Sequence, residues 1–98
     1  MYLYNVSVIV ENDIRDAVKR HLHATVVGKQ PLGGSLSLLE LLDSPHEGTT
    51  YCIQLRCQDR TDIVAFQSHW LAALQTGFNE THPGKVVFFD STMKYLND

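Results

Sequence analysis

The chain has 98 residues, of which 44% are hydrophobic and 19% are charged, and this composition is typical of a globular protein rather than a disordered one. That length leaves room for a single domain, which we place at residues 1–98. Eleven acidic against eight basic residues give a formal charge of −3, which argues against a nucleic-acid partner because such proteins need an excess of Lys and Arg.

The first strand and helix have clear periodicities. Residues Tyr2 to Val10 alternate with a period of two, so that Tyr4, Val6, Val8 and Val10 share one face. The segment 11–13 then breaks the strand and offers a helix cap. The helix that follows presents an apolar stripe made of Ile14, Ala17, Val18, Leu22 and Val26. It ends by Gly28, and a loop leads to the next strand.

The second half of the chain is predicted to contain two strands, a helix and a last strand. Ser35 to Asp43 is predicted to form the second strand and Thr49 to Cys57 the third, joined by a turn at 44–48. Asp59 is a predicted cap for the second helix. Its stripe is predicted to be Ile63, Phe66, Trp70, Ala73 and Leu74. Lys85 to Leu96 is the predicted last strand, with a bulge around residues 90–92.

This order of elements predicts the fold class. We expect an α+β, ferredoxin-like βαββαβ sandwich, in which two helices cover one face of a four-stranded antiparallel sheet. Right-handed crossovers place the first and third strands at its centre. The second sheet face is too apolar for solvent, because the last strand carries large side chains on both of its faces. We therefore predict a homodimer that packs sheet on sheet as a dimeric α/β barrel.

The two cysteines and the lack of long apolar runs suggest a compartment. Cys52 and Cys57 lie five residues apart on one strand, about 17 Å from each other and on opposite faces, so they are not expected to pair. No apolar run approaches the ~20 residues that span a bilayer, and we see no secretory signal. These observations predict a cytoplasmic protein with no membrane partner.

Proteins of this architecture support several reactions and cofactors that require residues this chain lacks. Acyl-phosphate hydrolysis needs a Gly-rich loop with an Arg after the first strand to hold the phosphate. Here the segment 11–13 is acidic and would repel that substrate, which argues against this activity. The two cysteines are too few for an iron–sulfur cluster. His21 and His23 diverge by about 200° on a helix, so they cannot share a metal ion. We predict no catalytic residue, metal or cofactor.

One polar group remains as a candidate site. The sheet face away from the helices, the open face, is predicted to carry Asn5, Ser7, Cys52, Gln54 and Arg56, with Asp90 or Ser91 added according to the bulge. These side chains either orient a small polar ligand or satisfy one another in the dimer interface. His69 and Trp70 point about 100° apart on their helix, which argues against a shared pocket of the haem-degrading monooxygenase type.

Five parts of the chain carry a resemblance to a known family. They are the opening Met1 to Val8, the segments Glu47 to Tyr51 and Ile53-Gln54, the His69 helix and the ending Gly84 to Phe89. Together they resemble a family of short Bacteroidetes proteins known as domain-of-unknown-function family 4286. The resemblance covers nearly the whole chain. It implies the layout of a dimeric α/β barrel and brings no catalytic residue to carry over.

Two functions stay open at this point. The first is a cytoplasmic homodimer without catalysis, acting as a structural or small-ligand-binding module. The second is a dimeric-barrel enzyme of the monooxygenase or isomerase type that uses a pocket on the open face.

Overall fold

The structure, a computed structural model, describes residues 1–28, 34–45 and 47–97. Its elements follow the predicted order. They are β1 (Tyr2–Val10), a 3₁₀ turn (Asn12–Ile14), α1 (Arg15–Gly28), β2 (Gly34–Leu41), β3 (Thr49–Cys57), α2 (Arg60–Phe66), a π-helical turn (Gln67–Leu71), α3 (Ala72–Thr81) and β4 (Val86–Lys94). The predicted loop after α1 falls largely outside the described residues, as does His46 in the predicted turn.

The strands form a four-stranded antiparallel sheet in the order β2-β3-β1-β4, which confirms the ferredoxin-like arrangement with β1 and β3 at the centre. The ladder between β1 and β4 is uninterrupted, running from Tyr2 opposite Lys94 to Val10 opposite Val86. The bulge predicted near residues 90–92 is therefore wrong, and β4 alternates strictly between the two faces.

One face of the sheet packs against both helices and forms the core. The inward row of β1 is almost fully buried, and the inward rows of β3 and of the helices close around it. The members are Tyr4, Val6, Val8 and Val10; Tyr51, Ile53, Leu55 and Cys57; Val18, Leu22 and Val26; and Ile63, Phe66, Leu71, Leu74 and Phe78. Alternation with a period of two thus gives β1 and β3 one buried face each, as the sequence predicted.

The two helical segments begin differently. Asp59 caps α2 as predicted, since its Oδ1 accepts a hydrogen bond from the backbone N–H of Thr61 at 2.9 Å. The segment before α1 forms a 3₁₀ turn without a side-chain cap at Glu11. Asn12 instead accepts a hydrogen bond from the Thr49 hydroxyl at 2.9 Å, which ties the start of that helix to β3.

A π-helical turn separates α2 from α3. The backbone N–H of Ala72 donates to the carbonyl of Gln67, five residues earlier, so this turn holds one residue more than an α-helix would. The predicted stripe is confirmed at Ile63, Phe66 and Leu74 and is wrong at Ala73. Ala73 is exposed, whereas Leu71 and Phe78 are buried, because the extra residue rotates the second half of the helix.

Gly48 brings the β2–β3 connection against the end of β1. Its φ of 89° lies in the left-handed region, and a Cβ there would stand 2.4 Å from the carbonyl oxygen of Val10. Glycine is therefore required at this position for two independent reasons.

No helix in the described part of the chain is long and apolar enough to cross a membrane.

Candidate functional site

The open face is organised in rows that run across the strands. The strand register places Ser37, Gln54, Asn5 and Ser91 side by side, one residue from each strand. This polar row crosses the whole sheet. The polar residues come from the outward positions of strands whose inward positions are apolar, which is why period-two alternation located them.

Hydrogen bonds link the central members of the polar row to the neighbouring row. Gln54 Nε2 donates to Asn5 Oδ1 at 3.2 Å, and Asn5 Nδ2 donates to Ser7 Oγ at 3.1 Å. Ser7 Oγ lies 3.8 Å from Cys52 Sγ. Four of the six predicted site residues therefore form one chain of contacts across β1 and β3.

Arg56 does not join this chain. It is exposed, and its guanidinium carbon lies 5.3 Å from the centroid of the Tyr95 ring, within reach of a cation–π interaction. Nothing in the local sequence pattern indicated this contact, because Tyr95 follows β4 and its position depends on the tertiary fold. Arg56 and the Asn5–Gln54 pair do not converge on a common point.

Asp90 lies on the other face of the sheet. Because no bulge interrupts β4, Asp90 stands opposite Val6 in the helix-side row, and Ser91 takes the place on the open face. The prediction that Asp90 belongs to the open-face group is therefore wrong in its placement. Ser91 was the alternative that the sequence left open.

Asp90 instead belongs to a polar cluster under the helices that the sequence analysis missed. Its Oδ2 accepts a hydrogen bond from the Tyr4 hydroxyl at 2.5 Å, and Gln67 Nε2 donates to the same hydroxyl at 3.2 Å. Burial, reinforced by Asp90, raises the pKa of Tyr4 to about 12. The available signal was Tyr4 itself, because a buried phenol in a row of valines needs a polar partner.

Large exposed apolar side chains flank the polar row. Leu39, Leu41, Val87 and Phe89 are 45–60% exposed and lie on one side of it, while Met93, 45% exposed, lies on the other. Ile9 and Leu3 continue these two flanks on β1. The open face is thus a polar stripe between apolar surfaces.

The helix that carries His69 and Trp70 separates these two residues, as predicted. Trp70 stacks on Phe66 with ring centroids 4.8 Å apart, whereas His69 is exposed. The Trp70 Nε1 group is buried without a hydrogen-bond partner among the described residues. Within residues 1–28, 34–45 and 47–97, no three His, Cys, Asp or Glu side chains lie close enough together to hold a metal ion.

The polar side chains at the centre of the open face are engaged with one another. The amides of Asn5 and Gln54 are engaged with each other, and the Ser7–Cys52 contact joins two weak nucleophiles without a base between them. Each of the four polar side chains is partly exposed and has a partner within the same protomer.

Comparisons with known proteins place this geometry in a family. The family model described as "Domain of unknown function (DUF4286)" matches residues 1–96. No curated protein matches the chain with significance.

Solved structures share the fold at low sequence identity. Rv0793 from Mycobacterium tuberculosis superposes with a TM-score of 0.71 at 14% identity, covering 100% of this chain and 98% of its own. A candidate antibiotic biosynthesis monooxygenase from Nitrosomonas europaea gives 0.67 at 20% identity, covering 98% and 99%. A dimeric ferredoxin-like protein from an uncultured marine organism gives 0.58 at 14% identity, covering 99% and 96%. Likeness at this level of identity shows the fold alone.

Proposed function

The chain belongs to the family described as a domain of unknown function (DUF4286), and from that premise we propose that it acts as a homodimeric module, structural or small-ligand-binding, that assembles through its open sheet face. The observation that carries the proposal is the placement of large apolar side chains. Leu39, Leu41, Val87, Phe89 and Met93 all project from this one face. Several large exposed apolar side chains on one face mark an interaction site.

A second copy of the chain is the partner that fits this face best. Two identical faces related by a twofold axis bring apolar flanks against apolar flanks, and sheets pack in this way at about 10 Å. One of the structures that share the fold is itself described as a dimeric ferredoxin-like protein. It supports the proposal at the level of fold.

The polar row fits the same interface. Burying an amide or hydroxyl is unfavourable unless it is hydrogen-bonded. Here Gln54, Asn5 and Ser7 already form hydrogen bonds with one another within a protomer. Covering them with a partner therefore leaves few polar groups without a hydrogen-bond partner. This favours the interface interpretation of these residues over a ligand pocket.

The compartment that we propose is the cytoplasm. Both Cys52 and Cys57 are free thiols on opposite faces of β3, and unpaired cysteines are typical of a reducing environment.

The enzyme interpretation receives less support. The likeness to a candidate monooxygenase is one of fold, and Arg56 turns toward Tyr95 instead of toward Asn5 and Gln54. A catalytic pocket on the open face requires polar groups that converge on one cavity.

The test is the mass in solution of the wild type and of two matched variants. Phe89→Glu places a charge on an open-face side chain that is 60% exposed, and Val64→Glu places the same charge on α2, at a side chain that is 61% exposed. We expect wild type and Val64→Glu to scatter light as twice the 11.1 kDa chain mass at micromolar concentration. Phe89→Glu should be monomeric, because a charge buried in an apolar flank of the interface is left without a partner.

Wild type that stays monomeric at that concentration would overturn the homodimer. Equal effects of the two variants would overturn the choice of the open face. Native mass spectrometry of the same sample reports any retained small molecule, and one released by Phe89→Glu but kept by Val64→Glu would support a small-ligand-binding role over a purely structural one.

A further inference from the structure

A second candidate site lies in a groove between α1 and β2, at the edge of the sheet, where Leu39 borders the open face. The groove has a volume of about 430 Å³, within the roughly 300–1,000 Å³ range of small-molecule sites. It opens at the outer edge of the sheet, since β2 is an edge strand. Its lining consists of Lys19, His23 and Val26 from α1, Leu36, Leu38, Leu39 and Glu40 from β2, and Tyr51 from β3.

The floor of this groove is apolar. Val26, Leu36 and Tyr51 are 2%, 8% and 3% exposed, and Leu38 packs partly buried against the same core. The apolar surface that a ligand can cover in the groove belongs to Leu38, which is half-buried, and to Leu39, which is 45% exposed. Covering these two side chains removes apolar surface from water.

The groove has a polar end and an apolar end. β2 runs parallel to β1, because each is antiparallel to β3, and α1 returns the chain from the end of β1 to the start of β2. The helix is therefore antiparallel to β2, which sets its beginning beside Glu40 and its end beside Leu36. The Tyr51 hydroxyl supports this placement. Tyr51 pairs with Glu40 in the sheet and donates at 3.2 Å to the carbonyl of Arg15, the first residue of α1.

Charges of both signs lie at the polar end. Lys19 and His23 stand one turn apart on the helix, and Glu40 stands on the strand across from them; all three are exposed. Among the residues that the structure describes, neither Lys19 nor Glu40 forms a salt bridge. Both charges therefore remain available to a ligand.

We propose that this groove binds an apolar α-amino acid as its zwitterion. The ligand carboxylate pairs with Lys19, the ligand ammonium pairs with Glu40, and the side chain lies along the floor toward Leu36. A simple carboxylic acid would face Glu40 without compensation, and a simple amine would face Lys19, so the two opposite charges select a zwitterionic head. The site lies within one protomer and does not depend on self-association.

The experiment is an NMR titration of the ¹⁵N-labelled protein with L-leucine. Saturable shifts are expected at the backbone amides of residues 19–26 and 36–40. Two analogues isolate the two charges: 4-methylpentanoate lacks the ammonium group of leucine, and 3-methylbutylamine lacks its carboxylate. Each should bind about threefold to fivefold more weakly, because an exposed ion pair contributes up to about 1 kcal/mol and 1.4 kcal/mol corresponds to tenfold.

Three surface variants assign the contacts. Glu40→Gln should weaken leucine about threefold to fivefold and leave 4-methylpentanoate unweakened. Lys19→Gln should weaken both of those ligands and leave 3-methylbutylamine unweakened. Arg20→Gln is the matched control, since Arg20 follows Lys19 on α1 but does not line the groove, and it should change nothing.

The proposal is overturned if leucine shifts no amide of the groove, or if 4-methylpentanoate binds as tightly as leucine. It is also overturned if Arg20→Gln acts like Lys19→Gln. Phe89→Glu separates this site from the dimer, because leucine binding that persists in that variant supports a site within one protomer. Loss of leucine binding there contradicts it.

Discussion

Tyr4 illustrates how a single polar atom in an apolar row organises its surroundings. The side chain is 1% exposed, and its ring meets Phe66 edge-on with centroids 5.8 Å apart. Its hydroxyl donates to Asp90 and accepts from Gln67, so it joins β4 to the π-helical turn. The hydroxyl therefore fixes how the second helix sits on the edge of the sheet.

We predict that Tyr4 makes the protein sensitive to alkali. Its pKa is raised from 10.0 to about 12 in the folded state, so the folded protein keeps this proton where the unfolded chain loses it. The contribution of this pKa shift to the free energy of unfolding is complete below pH 10 and is lost as the pH rises to about 12. In that window the free energy of unfolding of wild type should fall by up to about 1.4 kcal/mol per pH unit more steeply than that of Tyr4→Phe.

Urea unfolding at several alkaline pH values measures this difference. Tyr95→Phe is the control, since Tyr95 lies outside the core, and its pH profile should follow that of wild type. Tyr4→Phe should also lose roughly 1 kcal/mol at neutral pH with its hydrogen bond. Parallel profiles for wild type and Tyr4→Phe between pH 10 and 12 would contradict the assignment.

At the scale of elements, the π-helical turn decides which residues of the second helix are buried. The spacing from Phe66 to the next buried residue, Leu71, is five, and the spacings then return to three and four with Leu74 and Phe78. A plain α-helix would place Ala73 inward, as the sequence pattern predicted, but here Ala73 is exposed and Trp70 packs only partly buried against the core. The turn is a one-residue insertion that is absorbed inside the helix.

We predict that this insertion is removable. Deleting Ser68, an exposed residue of the turn, leaves Leu71 four positions after Phe66, which is the normal α-helical spacing. The fold should persist, with a change in stability of no more than about 1 kcal/mol on the scale of ordinary surface changes.

Deleting Thr76 is the matched control, because Thr76 is also exposed but lies within α3. That deletion rotates Phe78 away from the core and should destabilise by about 3–5 kcal/mol, the scale of losing a buried phenylalanine. Circular dichroism during urea unfolding measures both variants. If deletion of Ser68 is as destabilising as deletion of Thr76, the turn is an integral part of the core packing rather than an absorbed insertion.

At the scale of the whole molecule, the two faces of the sheet differ in what covers them. The inward face is buried by α1 and by the helix at 60–81. The outward face carries the polar row and its apolar flanks without a covering element in the described part of the chain. This asymmetry is the structural basis of the proposed dimer.

We predict that thermal stability depends on protein concentration. A folded state that is favoured by association gains stability with concentration by mass action. The Tm of wild type and of Val64→Glu should therefore rise over a hundredfold increase in protein concentration, whereas that of Phe89→Glu should stay constant. Differential scanning calorimetry measures this, and a constant Tm for wild type would contradict association through the open face.

The candidate site was predictable as far as strand alternation reaches. Asn5, Ser7, Cys52 and Gln54 were assigned to one face because their strands alternate cleanly, and the register then brought them into hydrogen-bonding distance. Asp90 was misplaced because β4 is apolar on both faces at its start, which concealed its true alternation. The partner of Arg56, Tyr95, lies far away in sequence, and local patterns carry no information about such contacts.

The sequence by itself determined the order of the elements, the α+β class, the strand order and the inward rows of β1 and β3, because each follows from hydrophobic periodicity and from short right-handed connections. Only the tertiary structure decided the π-helical turn, the uninterrupted β4 ladder and the Tyr4–Asp90–Gln67 cluster. The physical reason is that these features depend on how distant surfaces pack. A one-residue shift in a helix, or the choice of face for one carboxylate, is settled by the contacts made across the core, and those contacts leave little trace in local sequence.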